Sequence, residues 1–278
     1  MKKQMPYFIF FICLLISQPG SATEPEHSNI FQPGEVLTYS VHWNFIRLGS
    51  IVIQTYPDSS KRNPLHFTVS MRVRSNPDIP FIDIDELNRT LIHGTDITAR
   101  CYRAVHRHGS DSRQLFAVYD ETKGSAYYSA WNASRDAYEN IRVIPDTPPY
   151  LDGPSLFFFT RHAIHSGKQI SMPTMINGKI EITHFDFRFP REDIQSDLFP
   201  HGIHTKRYSG FADWEGGTSA GMSGEFSGWI SDDTAAVVIR SEVKILLGSL
   251  VIELEKYERP GWIPPLVTVC EPLSRKGD

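Results

Sequence analysis

The sequence has little of what usually announces a reaction. Only three cysteines occur in 278 residues, so neither a disulfide framework nor a cysteine-rich metal module is encoded. Positive charge is not in excess. Lys and Arg number 28 against 32 Asp and Glu, a formal net charge of −4, which excludes the basic field of a nucleic-acid-binding protein. There is no glycine loop of phosphate-cradling spacing and no dinucleotide fingerprint. No uninterrupted apolar run approaches the roughly 20 residues that a membrane-spanning helix needs. What remains is 40% hydrophobic and 12% aromatic, the composition of a folded chain and not of a disordered one.

The N-terminus carries an address. Lys2-Lys3 is followed by an apolar run from Tyr7 to Ile16 and then by Gly20-Ser21-Ala22. A basic start, a short apolar core and a small-residue ending make a secretory signal peptide, so residues 1–22 are expected to be removed by cleavage between Ala22 and Thr23. The Cys13 thiol lies inside the apolar run without a lipobox before it, so no lipid anchor is expected there. Residues 23–278 then form one β-rich domain with a C-terminal tail from about residue 260, located in the periplasm and not spanning the membrane. Of the cysteines, Cys101 and Cys270 remain after cleavage. An oxidising compartment lets them pair, and separate thiols are the alternative.

Period-two alternation dominates the rest. Leu65, Phe67, Val69, Met71 and Val73 alternate with polar residues, the mark of a half-buried strand. Similar runs cover 81–93, 97–106, 115–119, 125–128, 180–189, 235–244 and 249–257, separated by turn signals of which Asn177-Gly178 is the strongest for a hairpin. The spacing predicts an all-β, mainly antiparallel fold: a large curved sheet or open barrel of about 10–13 strands. The stretch 190–227 reads as less regular. Leu48–Ile53 is echoed at Leu247–Ile252, which chance strand composition explains and which also suits two similar hairpins at equivalent places in a closed sheet. One segment breaks the period. Asp152 as cap, Pro154 in the first turn, Phe157-Phe158-Phe159 and Gly167 as stop predict one short helix near 154–166, apolar on most sides and therefore well covered.

Motifs for chemistry are weak. Gly217-Thr-Ser-Ala-Gly221 matches a nucleophile elbow in letters, but no helix pattern follows it. The pairs His106/His108, His162/His165 and His201/His204 lack a third ligand at metal spacing. Asp83 and Asp85 share the polar face of a strand, and Glu86 has no evident acid–base partner. No catalytic residue, metal set or cofactor is expected. The five tryptophans are scattered. A curled sheet can instead enclose an apolar cavity, for which Trp43, Phe157, Phe158, Phe159 and Trp229 are the lining candidates.

Four segments resemble one family. Phe31-Gln-Pro-Gly-Glu-Val-Leu-Thr-Tyr with Trp43 and Leu48-Gly49, Leu151-Asp-Gly-Pro-Ser-Leu-Phe-Phe-Phe-Thr-Arg161, Gly228-Trp-Ile-Ser-Asp-Asp233, and Val237–Tyr257 with Gly248-Ser249 resemble, in order, the exported bacterial family called domain of unknown function 3108. Residues 194–224 are longer and richer in glycine than its pattern, and 260–278 lie beyond it. The resemblance implies an envelope protein built on a large antiparallel sheet and transfers no catalytic residue. The expectation is an exported, non-enzymatic protein that binds an apolar or amphipathic, lipid-like envelope molecule in its curled sheet. The alternative is a rigid interaction module with a packed core, binding an envelope protein or polysaccharide.

Overall fold

Period-two sequence becomes strand wherever one face can be buried. In the computed structural model, which describes residues 29–56, 65–80, 82–214, 224–245 and 248–268, the strands are β1 (Val36–Trp43), β2 (Ile46–Tyr56), β3 (His66–Ser75), β4 (Ile84–His93), β5 (Ala99–His108), β6 (Asp111–Asp120), β7 (Ser125–Asn132) and β8 (Ala137–Ile144). After helix α1 (Gly153–Ala163) follow β9 (Gln169–Ile176), β10 (Lys179–Asp186), β11 (Arg191–Ile194), β12 (Ile203–Asp213), β13 (Gly224–Ser231), β14 (Val238–Ile245) and β15 (Gly248–Glu258). They form one antiparallel sheet in the order β8-β7-β6-β5-β4-β3-β2-β1-β15-β14-β13-β12-β10-β9, with β11 on β12. The fold is all-β as expected, with 15 strands in the sheet among the described residues instead of about ten to thirteen. The irregular-looking stretch from 190 supplies β11 and β12, and Ala137–Ile144, with no clean apolar face, is an exposed edge strand.

The sheet curls without closing, since β8 and β9 lie at opposite ends of the order. Residues 150–151 span part of the gap. Tyr150 O accepts from Ala99 N at 2.9 Å, and Leu151 pairs with β9 through Leu151 N→Pro173 O and Met175 N→Leu151 O, both 2.8 Å. The β9–β10 turn has positive φ at both Asn177 (50°) and Gly178 (75°), the conformation that Asn-Gly favours. Gly178 lies so close to Tyr128 of β7 that a Cβ there would come 2.4 Å from its ring. The described residues of the echo, Leu48–Ile53 and Gly248–Ile252, fall on β2 and β15, the two neighbours of β1 on either side.

Helix α1 occupies one end of the curl. Asp152 caps it, accepting from Ser155 N at 2.9 Å while Ser155 Oγ accepts from Asp152 N at 2.6 Å. Thr90 Oγ1 of β4 donates to Asp152 Oδ2 at 2.8 Å, so the cap also fixes the helix to the sheet. Phe158 and Phe159 are buried with Leu37, Tyr39, Ile53, Val69, Phe185 and Ile230. At the other end of the helix, Arg161 is 1% exposed. Its guanidinium donates to Glu35 at 2.7 and 3.1 Å and to the carbonyls of Ala235 and Ala236 at 2.9 Å. Arg259 donates to Glu35 and to Asn29 O, so the segment after β15 is tied down too. Trp262 extends this docking through Nε1→Asp233 Oδ2 at 2.8 Å. Two of the segments that carry the family resemblance, those of Glu35 and Arg161, thus meet with Arg259 in one buried ionic clasp. Such a triad adds little net stability over an apolar substitute, but removing one member strands a buried charge.

Candidate functional site

The cross-strand register arranges the inner face, the one α1 packs on, into rows. Nearest the helix, Thr55, Val69, Thr90, Tyr102, Ala117 and Tyr128 lie side by side from β2 to β7. The next row is Ile53, Met71, Asn88, Ala104, Leu115 and Ala130. The third, nearest the far turns, is Tyr39, Ile51, Val73, Glu86, His106, Arg113 and Asn132. On the other side of β1, Trp43, Leu250, Val243 and Phe226 form a corresponding far row.

Burial fades from the first row to the third over β2–β5, while Tyr39 and Asn132 at the two ends of the third row stay buried. Thr55 and Val69 are 0% exposed and Thr90 is 1% exposed. Ile51, Met71, Val73, Val41, Ile252, Leu250, Val243 and Phe226 point to the same face and are only half-buried. Helix α1 is too short to cover both ends, so the far end keeps an apolar inner surface in contact with solvent. Such a surface inside a concave sheet is a ready place for apolar matter.

The far end has two chemical halves. Over β1–β3 and β13–β15 it is apolar. Over β4–β6 it is polar. There Asn88 Oδ1 accepts from the Tyr102 hydroxyl at 2.6 Å and lies 2.9 Å from His106 Nε2, and His108 Nε2 lies 2.6 Å from Glu86 Oε1. Burial lowers the His106 pKa below the ordinary 6.5, against the pull of nearby Glu86 and with the push of His108 and Arg113. A neutral His106 then donates from Nε2 to Asn88 and keeps Nδ1 as an acceptor. Burial pushes the Tyr102 hydroxyl well above its usual range. The far end thus sets an apolar surface beside a hydrogen-bonding one.

The residues singled out by sequence separate accordingly. Phe157 is half-buried and meets Tyr39 edge-on at 5.9 Å between ring centroids, next to the far end. Phe158 and Phe159 belong to the packed core. Trp43 is half-buried and pairs with Leu250 in the far row. Trp229 does not join them. It faces outward on β13, where its Nε1 donates to Glu192 at 2.9 Å and Arg207 stacks over its ring at 5.6 Å. Cys101 is half-buried on β5, while Cys270, the Ala22/Thr23 cleavage site and the 217–221 glycine motif lie outside the described residues. Asp85 lies on the outer face, bonded to Arg72 at 3.0 and 2.7 Å. Glu86, Asn88, Tyr102 and His106 were not foreseen as a group. The alternation of β4 and β5 would place them on one face, but their nearness to Val73 and Ile51 needs the register. Among the described residues no group of three or more His, Cys, Asp or Glu is placed to hold a metal ion, and no helix is long and apolar enough to cross a membrane.

The comparisons agree with this architecture. The chain belongs to the family described as "Protein of unknown function (DUF3108)", whose model matches residues 38–255. It is also similar in fold to the crystal structure of a beta-barrel-like protein of domain of unknown function DUF1849 from Brucella abortus, with a TM-score of 0.54 at 9% identity, over 84% of this chain and 99% of that one. A search among curated proteins finds no match.

Proposed function

We propose that this chain is a non-enzymatic protein of the bacterial envelope, exported to the periplasm by the leader at residues 1–22, that holds an apolar or amphipathic envelope molecule against the far end of its inner face. One observation carries the reading: the inner face is fully buried beneath α1 and half-exposed, yet still apolar, from Ile51, Val73 and Trp43 onward. Each methylene laid on that surface would contribute about 0.8 kcal/mol, so a short acyl chain suffices for useful affinity. The polar half around Asn88 and His106 would receive the head of the same molecule.

The second reading is a rigid interaction module. It rests on the dense packing of Phe158, Phe159, Phe185 and Phe187 at the plugged end, which leaves that end no room for a ligand. Native mass spectrometry of the protein taken from its own cell envelope distinguishes the two. The carrier reading expects a bound species of lipid mass that gentle activation releases. Protein that is ligand-free from its own compartment, and stays so after incubation with envelope lipid extract, supports the module instead.

A further inference from the structure

A second concave surface lies on the opposite, outer face of the sheet. Between β4 and β8 an open groove of about 750 Å³ is lined by Arg89 and Arg103 together with Leu87, Phe116, Trp131 and Tyr138. Arg89 and Arg103 are directly opposite each other across the β4–β5 pair, and both are exposed. Like charges placed so are mutually repulsive. Elsewhere the same sheet supplies acids to its arginines: Asp85 to Arg72, Glu255 to Arg47, Asp111 and Glu139 to Arg113. No carboxylate among the described residues pairs with Arg89 or Arg103. The Arg103 guanidinium lies 5.5 Å over the Phe116 ring, which holds it above the groove floor. Beyond it, Trp131 and Tyr138 meet edge-to-face at 4.8 Å. Along the rim, edge strand β8 exposes Tyr138 (58%), Ile141 (55%) and Val143 (69%).

We propose that this groove binds an anionic amphiphile. Its carboxylate or phosphate head bridges the two guanidinia, whose planar forks suit paired oxygens. Its apolar body lies along Phe116, Trp131 and Tyr138 toward β8. The attraction is local, since the whole chain carries a net charge of −4. This site is independent of the inner face, from which the sheet itself separates it.

Calorimetric titration below the critical micelle concentration tests it, with dodecyl phosphate, dodecyl maltoside and inorganic phosphate as probes. The parent chain is expected to bind dodecyl phosphate at least about tenfold more tightly than either of the others. The double variant Arg89→Gln/Arg103→Gln, altered only at exposed positions and checked by its melting temperature, loses about that factor. The control Lys123→Gln, which removes a positive charge in the exposed β6–β7 turn away from the groove, keeps it. Equal affinity of parent and double variant overturns the proposal, as does inorganic phosphate binding as tightly as dodecyl phosphate. Loss in Phe157→Ala with the double variant unaffected assigns the amphiphile to the inner face and also overturns it.

Discussion

The two ends of the inner face are built from the same strands and solve different problems. At the plugged end, a row such as Thr55, Val69 and Thr90 is sealed by α1; there Thr90 donates to Asp152, whereas the Thr55 hydroxyl is buried without a hydrogen-bond partner among the described residues. At the far end, the row through Ile51, Val73, Glu86 and His106 stays only partly buried. Over β1–β3 nothing in strand composition separates them, since β2 is as apolar at Ile51 as at Ile53. The difference comes from one short helix and the ionic clasp that sets its depth. A sheet this curled has more inner surface than eleven helical residues can cover, and the remainder is where the proposed ligand would lie without disturbing the core.

The largest expected effect breaks the plugged end. Glu35→Ala leaves the Arg161 and Arg259 guanidinia buried without their shared carboxylate, and the loss should be about 3–5 kcal/mol of unfolding free energy by chemical denaturation. A loss no larger than that of a surface substitution would mean the clasp does not set the helix. Asp152→Ala, which removes both the cap and the Thr90 bond, should cost about 1–2 kcal/mol. Burial raises the Asp152 pKa. A raised carboxyl contributes stability that is present at acid pH and lost as pH rises through its folded value. Asp152→Asn keeps an oxygen for the cap and removes that dependence, so its deficit relative to the parent should shrink as pH rises; a parallel offset at all pH values would contradict this.

At the far end the expected effect is smaller and has the opposite pH sign. Burial depresses the His106 pKa, so its contribution is present above the unfolded value near 6.5 and lost as pH falls through the folded one. His106→Gln should flatten the acid side of the stability profile. The His106 imidazole resonances should also move when an acyl ligand binds. Resonances that titrate near 6.5 and ignore ligand would take His106 out of the site.

The sequence made the sheet, its hairpin at Asn177-Gly178 and the capped helix legible because each depends on neighbours within a few residues. The Asp152 cap and Pro154 mark the helix start locally, and alternation in β3 marks its inner face. The clasp was not legible, because Glu35, Arg161 and Arg259 lie 126 and 224 residues apart and no spacing rule links them. Trp229 looked like a lining residue because an aromatic in a strand has even odds of facing inward. Its outward side is set by the register with β12 and by the irregularity between Trp229 and Ile230. Phe157, Phe158 and Phe159 are equivalent as letters. Only the helix's rotation over Tyr39 distinguishes the half-buried first from the buried other two.

That distinction gives the most direct test of the account. Uptake of a fluorescent monoacylglycerol, a neutral acyl probe that the outer arginines do not attract, should be measured alongside stability for the parent, Phe157→Ala and Phe158→Ala. Phe158→Ala should lose about 3–5 kcal/mol of stability through lost burial and the cavity it leaves. Phe157→Ala should keep most of its stability and lose most of its uptake. A parent that takes up no probe, or a Phe157→Ala variant that takes it up as the parent does, would contradict the assignment of the far end as a binding surface.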